Sequence, residues 1–367
     1  MIIFYSIAFL SFLIILIYSL IINKFIKGWD NTPYFKANGL NPSTPITIIT
    51  ACKNEITQLP HLFKAIKDQS YPNFEMILVD DHSTDGSYEY CQEVALGFPE
   101  LKVVKNEGKG KKYAVKTGVY LSENELIVTL DADSFPGENW LLTIVQFYEN
   151  TPSDLIICPV RMTSDGSFLQ DFQQFEFTSL VGSGAGAAGA GMPIFCNGAN
   201  LAFRKEAWLA SEHELNFDEP SGDDIYLLQS IKRRNGAIRF LKSTDAMVST
   251  NPPQNLKSYL RQRKRWASKL SAYKDRHFGT TGLIVFLSSF SIVLLFLISL
   301  FKPLFLSVLF LVFLLKWMVD FSFFKACRTF YSLKNVVLKS LIFSIIYPFY
   351  VVIAASNTFL RKKNKDW

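Results

Sequence analysis

The sequence predicts an α/β domain with a mostly parallel sheet, preceded and followed by apolar segments long enough to cross a membrane. Three observations support this prediction. Strand-like, β-branched runs alternate with helical patterns through the middle of the chain. Two of those runs end in aspartates. Hydrophobic residues make up 49% of the 367 residues and the mean hydropathy is positive, which is unusual for a purely soluble protein.

The N-terminal segment, residues 2–22, is apolar throughout and is followed by Lys24 and Lys27. A helix of this length spans a hydrocarbon core of ~30 Å, so we predict a transmembrane anchor over residues 1–27. A cleaved signal peptide is the alternative, but such peptides have a basic start, a shorter apolar core and a small-residue cleavage site. The two lysines place the polar middle of the chain in the cytoplasm by the positive-inside rule.

A second apolar block, the predicted transmembrane region 280–360, lies towards the other end of the chain. Residues 281–301 and 303–315 are separated by Lys302 alone, which is typical of a membrane hairpin. The predicted spans are nearly free of ionisable residues.

Residues 336–356 form a further candidate span, although they include Lys339 and Pro348. Four complete crossings would place the basic tail, residues 361–367, outside the cell, against the positive-inside rule. Either the last segment does not cross fully or the rule fails here.

Residues 28–250 are predicted to form a cytoplasmic domain in which strands and helices alternate. The predicted strands cover residues 46–52, 75–87 (running into a turn), 101–105 and 126–133, and the predicted helices cover residues 59–70, 87–95 and 112–121. Such alternation is typical of βαβ units around a parallel sheet. Ligands of open α/β sheets bind at the carboxyl ends of the strands.

Two of the predicted strands end in acids. Asp80 and Asp81 follow one strand, and Asp131 and Asp133 end another. Residues two apart on a strand point to the same side, and the carboxyl ends of parallel strands share an edge. The four carboxylates are therefore expected to converge on one crevice, where they repel unless a cation or a hydrogen-bonding ligand lies among them. The alternative is a solvated strand end.

Between the two acidic pairs, residues 106–118 form a glycine- and lysine-rich loop that opens a helix. Lys109, Lys111 and Lys112 could form an anion-binding corner with the helix N-terminus. A solvated turn is the alternative. A divalent metal ion together with a phosphorylated ligand would satisfy both the acids and the lysines.

Other features narrow the class of function. The five cysteines form no C-x-x-C pair and the four histidines do not cluster, so neither a zinc site nor a disulfide framework is expected. The net charge is only +6, and basic residues concentrate near the apolar segments, which favours a lipid bilayer over nucleic acid as a partner. Residues 184–189 fit G-x-G-x-x-G, but within a low-complexity run that we interpret as a flexible or closely packed segment.

Two later segments place polar residues against apolar patterns. Asp223 and Asp224 precede a helical pattern, where acids complement the helix dipole whatever else they do. Residues 256–274 place apolar side chains at helical spacing opposite many basic ones. That pattern is typical of a helix lying in a membrane interface, and we predict an interfacial region over residues 251–279.

Six short motifs, taken in order, resemble those of one family. They are VDDHSTDGS, GKGKKYAVKTG, DAD, GANLAFR, GDD and QRKRW. Over residues 45–270 the chain resembles the membrane-bound family 2 glycosyltransferases, which include the cellulose, chitin, hyaluronan and poly-N-acetylglucosamine synthases. The resemblance implies a GT-A (nucleotide-diphospho-sugar transferase) domain that transfers a sugar with inversion.

The resemblance also implies roles for the acids and the lysine at the strand ends. Asp80 and Asp81 match the acids that contact the uracil and the ribose, and Lys111 matches the lysine near the base. Asp133 matches the acid that coordinates Mg²⁺ or Mn²⁺, and Asp131 beside it matches a residue that contacts the donor.

Further roles follow from the two downstream motifs. Asp224 matches the acceptor base at the end of a Thr-Glu-Asp motif. Here the motif is GDD, so Asp223, expected on the acceptor side, departs from the family pattern. Gln262, Arg265 and Trp266 match a Gln-x-x-Arg-Trp motif whose polar members hold the pyrophosphate and whose tryptophan packs against the acceptor sugar.

Together these observations predict a membrane-embedded inverting glycosyltransferase. It would use a UDP-sugar donor, Mg²⁺ or Mn²⁺, and a polysaccharide or lipid-linked acceptor at the cytoplasmic face of the bilayer, with no nucleic acid partner. One alternative is a transferase that adds a single sugar to a glycolipid. Another is a non-catalytic nucleotide-binding membrane protein, such as a transporter, although a transporter normally carries ionisable residues in its spans.

Overall fold

The computed structural model describes residues 2–39, 42–217, 219, 222–267 and 275–360. The strands are β1 (Ile46–Cys52), β2 (Phe74–Asp80), β3 (Leu101–Lys105), β4 (Leu126–Leu130), β5 (Ser134–Pro136), β6 (Leu155–Ile157), β7 (Val160–Met162), β8 (Asn200–Arg204), β9 (Ile238–Phe240) and β10 (Val248–Thr250). The helices are α1 (Ile2–Asn31), α2 (Leu59–Lys67), α3 (Ser87–Ala95), α4 (Lys111–Leu121), α5 (Trp140–Asn150), α6 (Phe168–Gly189), α7 (Lys205–Ser211), α8 (Asp223–Arg233), α9 (Leu256–Ala267), α10 (Arg276–Ser299), α11 (Phe305–Cys327) and α12 (Val336–Leu360).

A seven-stranded sheet in the order β3-β2-β1-β4-β8-β6-β9 forms the centre of the α/β domain. The pairs β1–β2, β2–β3, β1–β4 and β6–β9 are parallel, whereas β8 runs antiparallel to both β4 and β6. The prediction of a mostly parallel α/β sheet is therefore confirmed.

Burial explains why the central strands form where the sequence predicted them. Ile46, Ile48 and Ile49 on β1 are at most 1% exposed, so both faces of this strand are covered. Strands covered on both faces read as continuous apolar runs, as β1 and β4 do. A smaller sheet, β5-β10-β7, follows the carboxyl end of β4 and begins at Ser134, directly after the DAD motif.

The chain divides into two compact units. One comprises the described residues of 31–163 and 193–251 and contains both sheets. The other comprises the described residues of 1–30, 164–192 and 252–367, and contains α1, α6 and α9 to α12. Helix α6 therefore groups with the apolar helices, although it lies within the segment predicted as the cytoplasmic domain.

Four helices are long and apolar enough to cross a membrane: Phe4–Asn31, Arg276–Ser299, Phe305–Cys327 and Val336–Ala355. Pro348 does not interrupt the last of them, since α12 continues on both sides of it. The second half of the predicted hairpin was placed too short, at residues 303–315, because Lys316 interrupts the apolar pattern there.

Helix α11 continues past Lys316 because this lysine has a buried partner one turn later. Lys316 Nζ lies 2.7 Å from Asp320 Oδ2, and the two side chains are 2% and 4% exposed. Tyr18 on α1 donates a hydrogen bond to Asp320 Oδ1 (2.6 Å), and Ser344 on α12 donates one to Asp320 Oδ2 (2.8 Å). The prediction that the spans are nearly free of ionisable residues is wrong for this helix.

The glycine-rich run at 184–189 is helical and closely packed. A Cβ on Gly186 would lie 2.3 Å from the Phe25 carbonyl oxygen, and one on Gly28 would lie 2.0 Å from the Gly186 carbonyl oxygen. Small residues thus let α1 and α6 approach backbone to backbone, as is common between membrane helices. Close packing, rather than flexibility, explains this segment.

Candidate active site

The carboxyl ends of three adjacent strands, β2, β1 and β4, bring the predicted acids to one edge of the sheet. Cys52 at the end of β1 pairs in register with Asp80 at the end of β2, and β4 lies on the other side of β1. The Asp131–Asp133 turn leaves this edge and is closed by a hydrogen bond from Ser134 N to Asp131 O (3.0 Å). The predicted convergence of two acidic strand ends follows from this strand order.

Asp81 holds the lysine-rich loop in place. Its Oδ1 accepts hydrogen bonds from Gly110 N and Asn106 Nδ2, both at 2.8 Å, and its Oδ2 lies 3.2 Å from Lys53 Nζ. Burial raises the pKa of Asp81, but these three partners outweigh it and keep the pKa below its usual value. The ionised carboxylate therefore fixes the start of α4.

Asp80 has an oxygen that the protein leaves without a partner. Its Oδ2 accepts a hydrogen bond from Ser83 N (3.1 Å), whereas its buried Oδ1 has no hydrogen-bond partner among the described residues. A buried acceptor without a donor is costly. This atom is suited to accept a hydrogen bond from a bound ligand.

Lys111 connects the acids of the sheet edge to those of α8. Its Nζ lies 2.5 Å from Asp131 Oδ1. A Cβ built on Gly198 would lie 3.4 Å from Lys111 Nζ and 3.5 Å from Asp223 Oδ2. Lys111 and Asp223 therefore both lie against Gly198. Burial lowers the pKa of Lys111, but Asp131, Asp223 and Asp224 outweigh it and raise the pKa above its usual value. The lysine is a permanent cation among three acids.

Asp224 lies in the first turn of α8, which begins after Gly222 in a left-handed conformation (φ 93°). Its Oδ2 accepts a hydrogen bond from Gly198 N (3.1 Å) and its Oδ1 accepts one from Ile225 N (2.8 Å). Two backbone donors thus fix the plane of the carboxylate. Asp223 and Asp224 lie close to Lys111 and thus to the Lys111–Asp131 pair.

Glu55, which was not predicted as a site residue, belongs to the same edge. It lies three residues after the end of β1, the strand between the two acidic ones, and its backbone N donates to Ser87 Oγ (2.9 Å). Burial, followed by the charges of Asp133 and Asp131, raises the pKa of Glu55 to about 7. The sequence did contain a signal, because Glu55 is an acid three residues beyond a third buried strand.

Comparison with known proteins identifies the domain. Residues 47–207 match the family model "Glycosyl transferase family 2".

Residues 47–207 form a family 2 glycosyltransferase domain.

Curated relatives of this domain are glycosyltransferases. The chain is 31% identical over 113 residues to "Glycosyltransferase GlyG" of Streptococcus pneumoniae serotype 4, which covers 30% of this chain and 38% of that protein. It is 24% identical over 228 residues to the "Poly-beta-1,6-N-acetyl-D-glucosamine synthase" of Staphylococcus aureus, covering 60% of this chain and 53% of the synthase. The chain thus spans about half or less of the length of these relatives.

The fold is similar to that of a solved mannosyltransferase from Pyrobaculum calidifontis, determined in complex with GDP-Man and Mn²⁺. The TM-score is 0.58 at 17% identity, and the match covers 98% of this chain and 99% of that protein. The predicted GT-A fold with N-terminal and C-terminal apolar helices is confirmed.

The acids at the sheet edge of the family 2 domain could supply some of the ligands of a divalent metal ion such as Mg²⁺, but not all of them. Asp133 is exposed, and both it and Asp131 act electrostatically on Glu55. Across the described part of the chain, no three His, Cys, Asp or Glu residues converge closely enough to hold a metal ion by themselves. Mg²⁺ in proteins commonly uses one or two carboxylates and takes its other ligands from water and substrate phosphates. Asp133 could serve in this way.

The nearby thiol is not a competing metal ligand. Burial, followed by the charge of Asp80, raises the pKa of Cys52 to about 12, so the group stays protonated. Oxygen ligands alone favour Mg²⁺ or Mn²⁺ over zinc.

The Gln-x-x-Arg-Trp motif lies on α9, in the unit that contains the apolar helices. Gln262 is half-buried, and its Oε1 accepts a hydrogen bond from Arg263 Nη1 (2.6 Å). Arg265 is exposed, and the Trp266 ring lies 6.4 Å from that of Phe177. The predicted interfacial helix extended to residue 274, and residues 268–274 lie outside the described part of the chain.

Proposed function

We propose that this chain is a multi-pass, membrane-embedded inverting glycosyltransferase that moves a sugar from a UDP-sugar to a saccharide or lipid-linked acceptor at the cytoplasmic face. The observation that carries the proposal is the joint position of Asp224, Lys111 and Asp131 at the carboxyl edge of a family 2 domain. This arrangement offers an oriented carboxylate beside a half-buried cation. Both are needed for attack by a hydroxyl on an activated sugar.

Asp224 is proposed as the general base. An acceptor hydroxyl is a poor nucleophile near neutral pH, so a carboxylate must take its proton as the oxygen attacks the anomeric carbon. The new C–O bond forms on one face while the bond to the diphosphate breaks on the other, which inverts the configuration. The hydrogen bonds from Gly198 N and Ile225 N hold the carboxylate in one orientation throughout.

The donor would be held by residues on both strand ends. The unpartnered Oδ1 of Asp80 is suited to accept a hydrogen bond from the nucleoside, and Asp81 keeps the adjacent loop in place. We propose that Lys111 and Asp131 contact the donor from the same loop and turn. Asp133 would hold Mg²⁺ or Mn²⁺, which supplies positive charge opposite the departing diphosphate.

The remaining roles rest on the resemblance of the motifs. We propose that Gln262 and Arg265 contact the pyrophosphate, that Trp266 packs against the acceptor sugar, and that Asp223 lies on the acceptor side. The guanidinium of Arg265 suits a diphosphate because it presents several donors in one plane.

Charge distribution supports a cytoplasmic site. If each apolar helix crosses the bilayer once, four helix ends share one face: the end of α1, the start of α10, the end of α11 and the start of α12. Contacts between rings support this grouping, because Trp29 near the end of α1 packs against Phe330 and Tyr331 after α11, at 5.1 and 5.8 Å between ring centroids. The basic residues near these four ends are Lys24, Lys27, Arg276, Lys325, Arg328, Lys334 and Lys339. The turn from α10 to α11 carries Lys302 alone. The positive-inside rule assigns the richer face to the cytoplasm. The predicted tail, residues 361–367, lies outside the described part of the chain.

The decisive experiment follows release of nucleoside diphosphate from a set of UDP-sugars and GDP-mannose, using full-length protein in membranes. Asp224→Asn should reduce release from the preferred donor by about 10² to 10⁴. Asp68→Asn, a change of the same charge at an exposed position of the same unit, should match the wild type. Equal release by Asp224→Asn and wild type would favour the non-catalytic nucleotide-binding alternative.

Product length separates a polymer synthase from a single-sugar transferase. The QRKRW motif and the similarity to a poly-N-acetylglucosamine synthase favour a polymer. The small number of candidate spans among the described residues leaves few walls for a channel and favours single transfer. With radiolabelled donor, a ladder of products supports the polymer synthase and a single lipid-soluble band supports the transferase.

A further inference from the structure

A basic cavity of about 510 Å³ lies where α11 ends and α12 begins. Its lining includes Phe321, Lys325, Arg328, Leu333, Lys334 and Val337. The adjoining candidate spans end at Cys327 and begin at Val336. If these helices cross a bilayer, the cavity lies at the depth of the lipid headgroups.

The charges of this cavity are of one sign. Lys325, Arg328 and Lys334 line it, all three are exposed, and the lining contains neither Asp nor Glu. Within the described residues, no carboxylate lies at ion-pair distance from any of the three. Lys339, one turn further along α12, differs in this respect, because its Nζ lies 2.7 Å from Asp171 Oδ2. Three neighbouring cations without an anion favour a negatively charged ligand.

The cavity also presents apolar surface beside these charges. Phe321 is half-buried, Val337 is 59% exposed, and Leu333 is buried beneath the turn. A ligand with a phosphate and a hydrocarbon portion satisfies both kinds of surface, whereas inorganic phosphate satisfies only the charges.

The turn that forms the cavity is held by its own hydrogen bonds. Tyr331 N donates to Cys327 O (3.1 Å) and Leu333 N donates to Arg328 O (2.8 Å). Tyr331 is 1% exposed and packs against Trp29 of α1. The basic side chains are therefore presented by an anchored turn.

We propose that this cavity binds the phosphate headgroup of an anionic membrane phospholipid. Lys325, Arg328 and Lys334 contact the phosphate, and the apolar lining contacts the upper part of the acyl chains. Bound lipid would lock the α11–α12 turn at the membrane surface. This inference does not depend on the sugar transfer proposed above.

Lipid binding to the purified full-length protein tests the proposal directly. In native mass spectrometry with dioctanoyl phosphatidylglycerol, the wild type should retain the lipid, and dioctanoyl phosphatidylcholine should bind far more weakly. The triple variant Lys325→Gln/Arg328→Gln/Lys334→Gln should lose phosphatidylglycerol affinity by on the order of a hundredfold, at about fivefold per basic residue. A matched triple variant, Lys36→Gln/Lys64→Gln/Lys102→Gln, removes the same charge from exposed positions elsewhere and should bind as the wild type does.

Three outcomes would overturn the proposal. One is unchanged phosphatidylglycerol binding by the triple variant at an unchanged melting temperature. Another is equal binding of the two lipids by the wild type. The third is displacement of phosphatidylglycerol by an equal concentration of inorganic phosphate, which would identify a free-phosphate site instead. If the triple variant melts early, the single variant Arg328→Gln, with an expected loss of about fivefold, provides the same test.

Discussion

Arg263 and Glu176 form a buried ion pair that joins the helix of the Gln-x-x-Arg-Trp motif to α6. Arg263 Nε lies 2.6 Å from Glu176 Oε2, and the two side chains are 5% and 4% exposed. The guanidinium carbon of Arg263 also lies 4.1 Å from the centre of the Trp266 ring. Arg263, at an unspecified position of the Gln-x-x-Arg-Trp motif, thus anchors the helix that carries Gln262, Arg265 and Trp266.

Loss of one partner of this pair should destabilise the protein strongly. Glu176→Gln leaves the Arg263 charge buried and uncompensated, a change that typically costs about 3–5 kcal/mol. The free energy of unfolding in detergent measures it. Arg261→Gln removes a charge from an exposed position of the same helix and should change this free energy by less than ~0.5 kcal/mol. If the two variants are equally stable, the ion pair does not hold α9 in place.

Lys111→Met should weaken donor binding. The substitution leaves Asp131, Asp223 and Asp224 without their shared cation and removes a charged hydrogen bond, which typically contributes about 1.5–3 kcal/mol. We therefore expect the Kd for UDP, measured by titration calorimetry with Mn²⁺, to rise by about 10- to 100-fold. Lys109→Met, at an exposed position of the same loop, is the matched control. Equal affinities of the two variants would exclude Lys111 from the donor site.

Glu55 should make the stability of the metal-free protein depend on pH. Its pKa of about 7 exceeds the usual value of 4.5, so its contribution to stability is complete below pH ~4.5 and is lost as the pH rises through about 7. Glu55→Gln stays neutral. In EDTA the variant should melt within about a degree of the wild type at pH 5 and a few degrees above it at pH 8.

The control for this pH dependence is Glu93→Gln, a surface substitution of the same type. Its melting temperature should follow that of the wild type across the whole range. A Glu55→Gln protein that melts below the wild type at pH 8 contradicts the proposed charge repulsion with Asp131 and Asp133.

Gly186→Ala should disrupt the packing of α6 against α1. The added Cβ would lie 2.3 Å from the Phe25 carbonyl oxygen, so the backbone of one helix must move. Overpacking of this kind costs about 1–3 kcal/mol, read as a lower melting temperature in detergent. Gly279→Ala adds the same atom to α10, where no atom beyond the neighbouring helix backbone lies within 4 Å, and should not lower the melting temperature.

The acidic strand ends were predictable because each depends on a short local pattern. A buried parallel strand reads as an apolar run, and Asp80 ends one such run while Asp131 directly follows another. Glu55 was missed because its importance depends on strand order: β1 lies between β2 and β4 only once the sheet has formed.

Some features of the apolar helices, too, could not be predicted from the sequence, because they depend on contacts that form only in the folded protein. Lys316 interrupts a hydropathy pattern and suggested the end of a span, because its partner Asp320 becomes visible only as a neighbour one turn along the folded helix. The run at 184–189 likewise suggested a flexible segment as one possibility, since glycines lower helix propensity. Their packing against Phe25 and Gly28 depends on a helix distant in sequence.

The Asp320 network also bears on the order in which the helices assemble during synthesis. Tyr18 is made long before Asp320, whereas Ser344 is made after it. If these helices cross a bilayer, a nascent chain that stops before α12 would hold this carboxylate there with one of its hydroxyl donors absent. Completion of α12 would then supply the missing donor, Ser344.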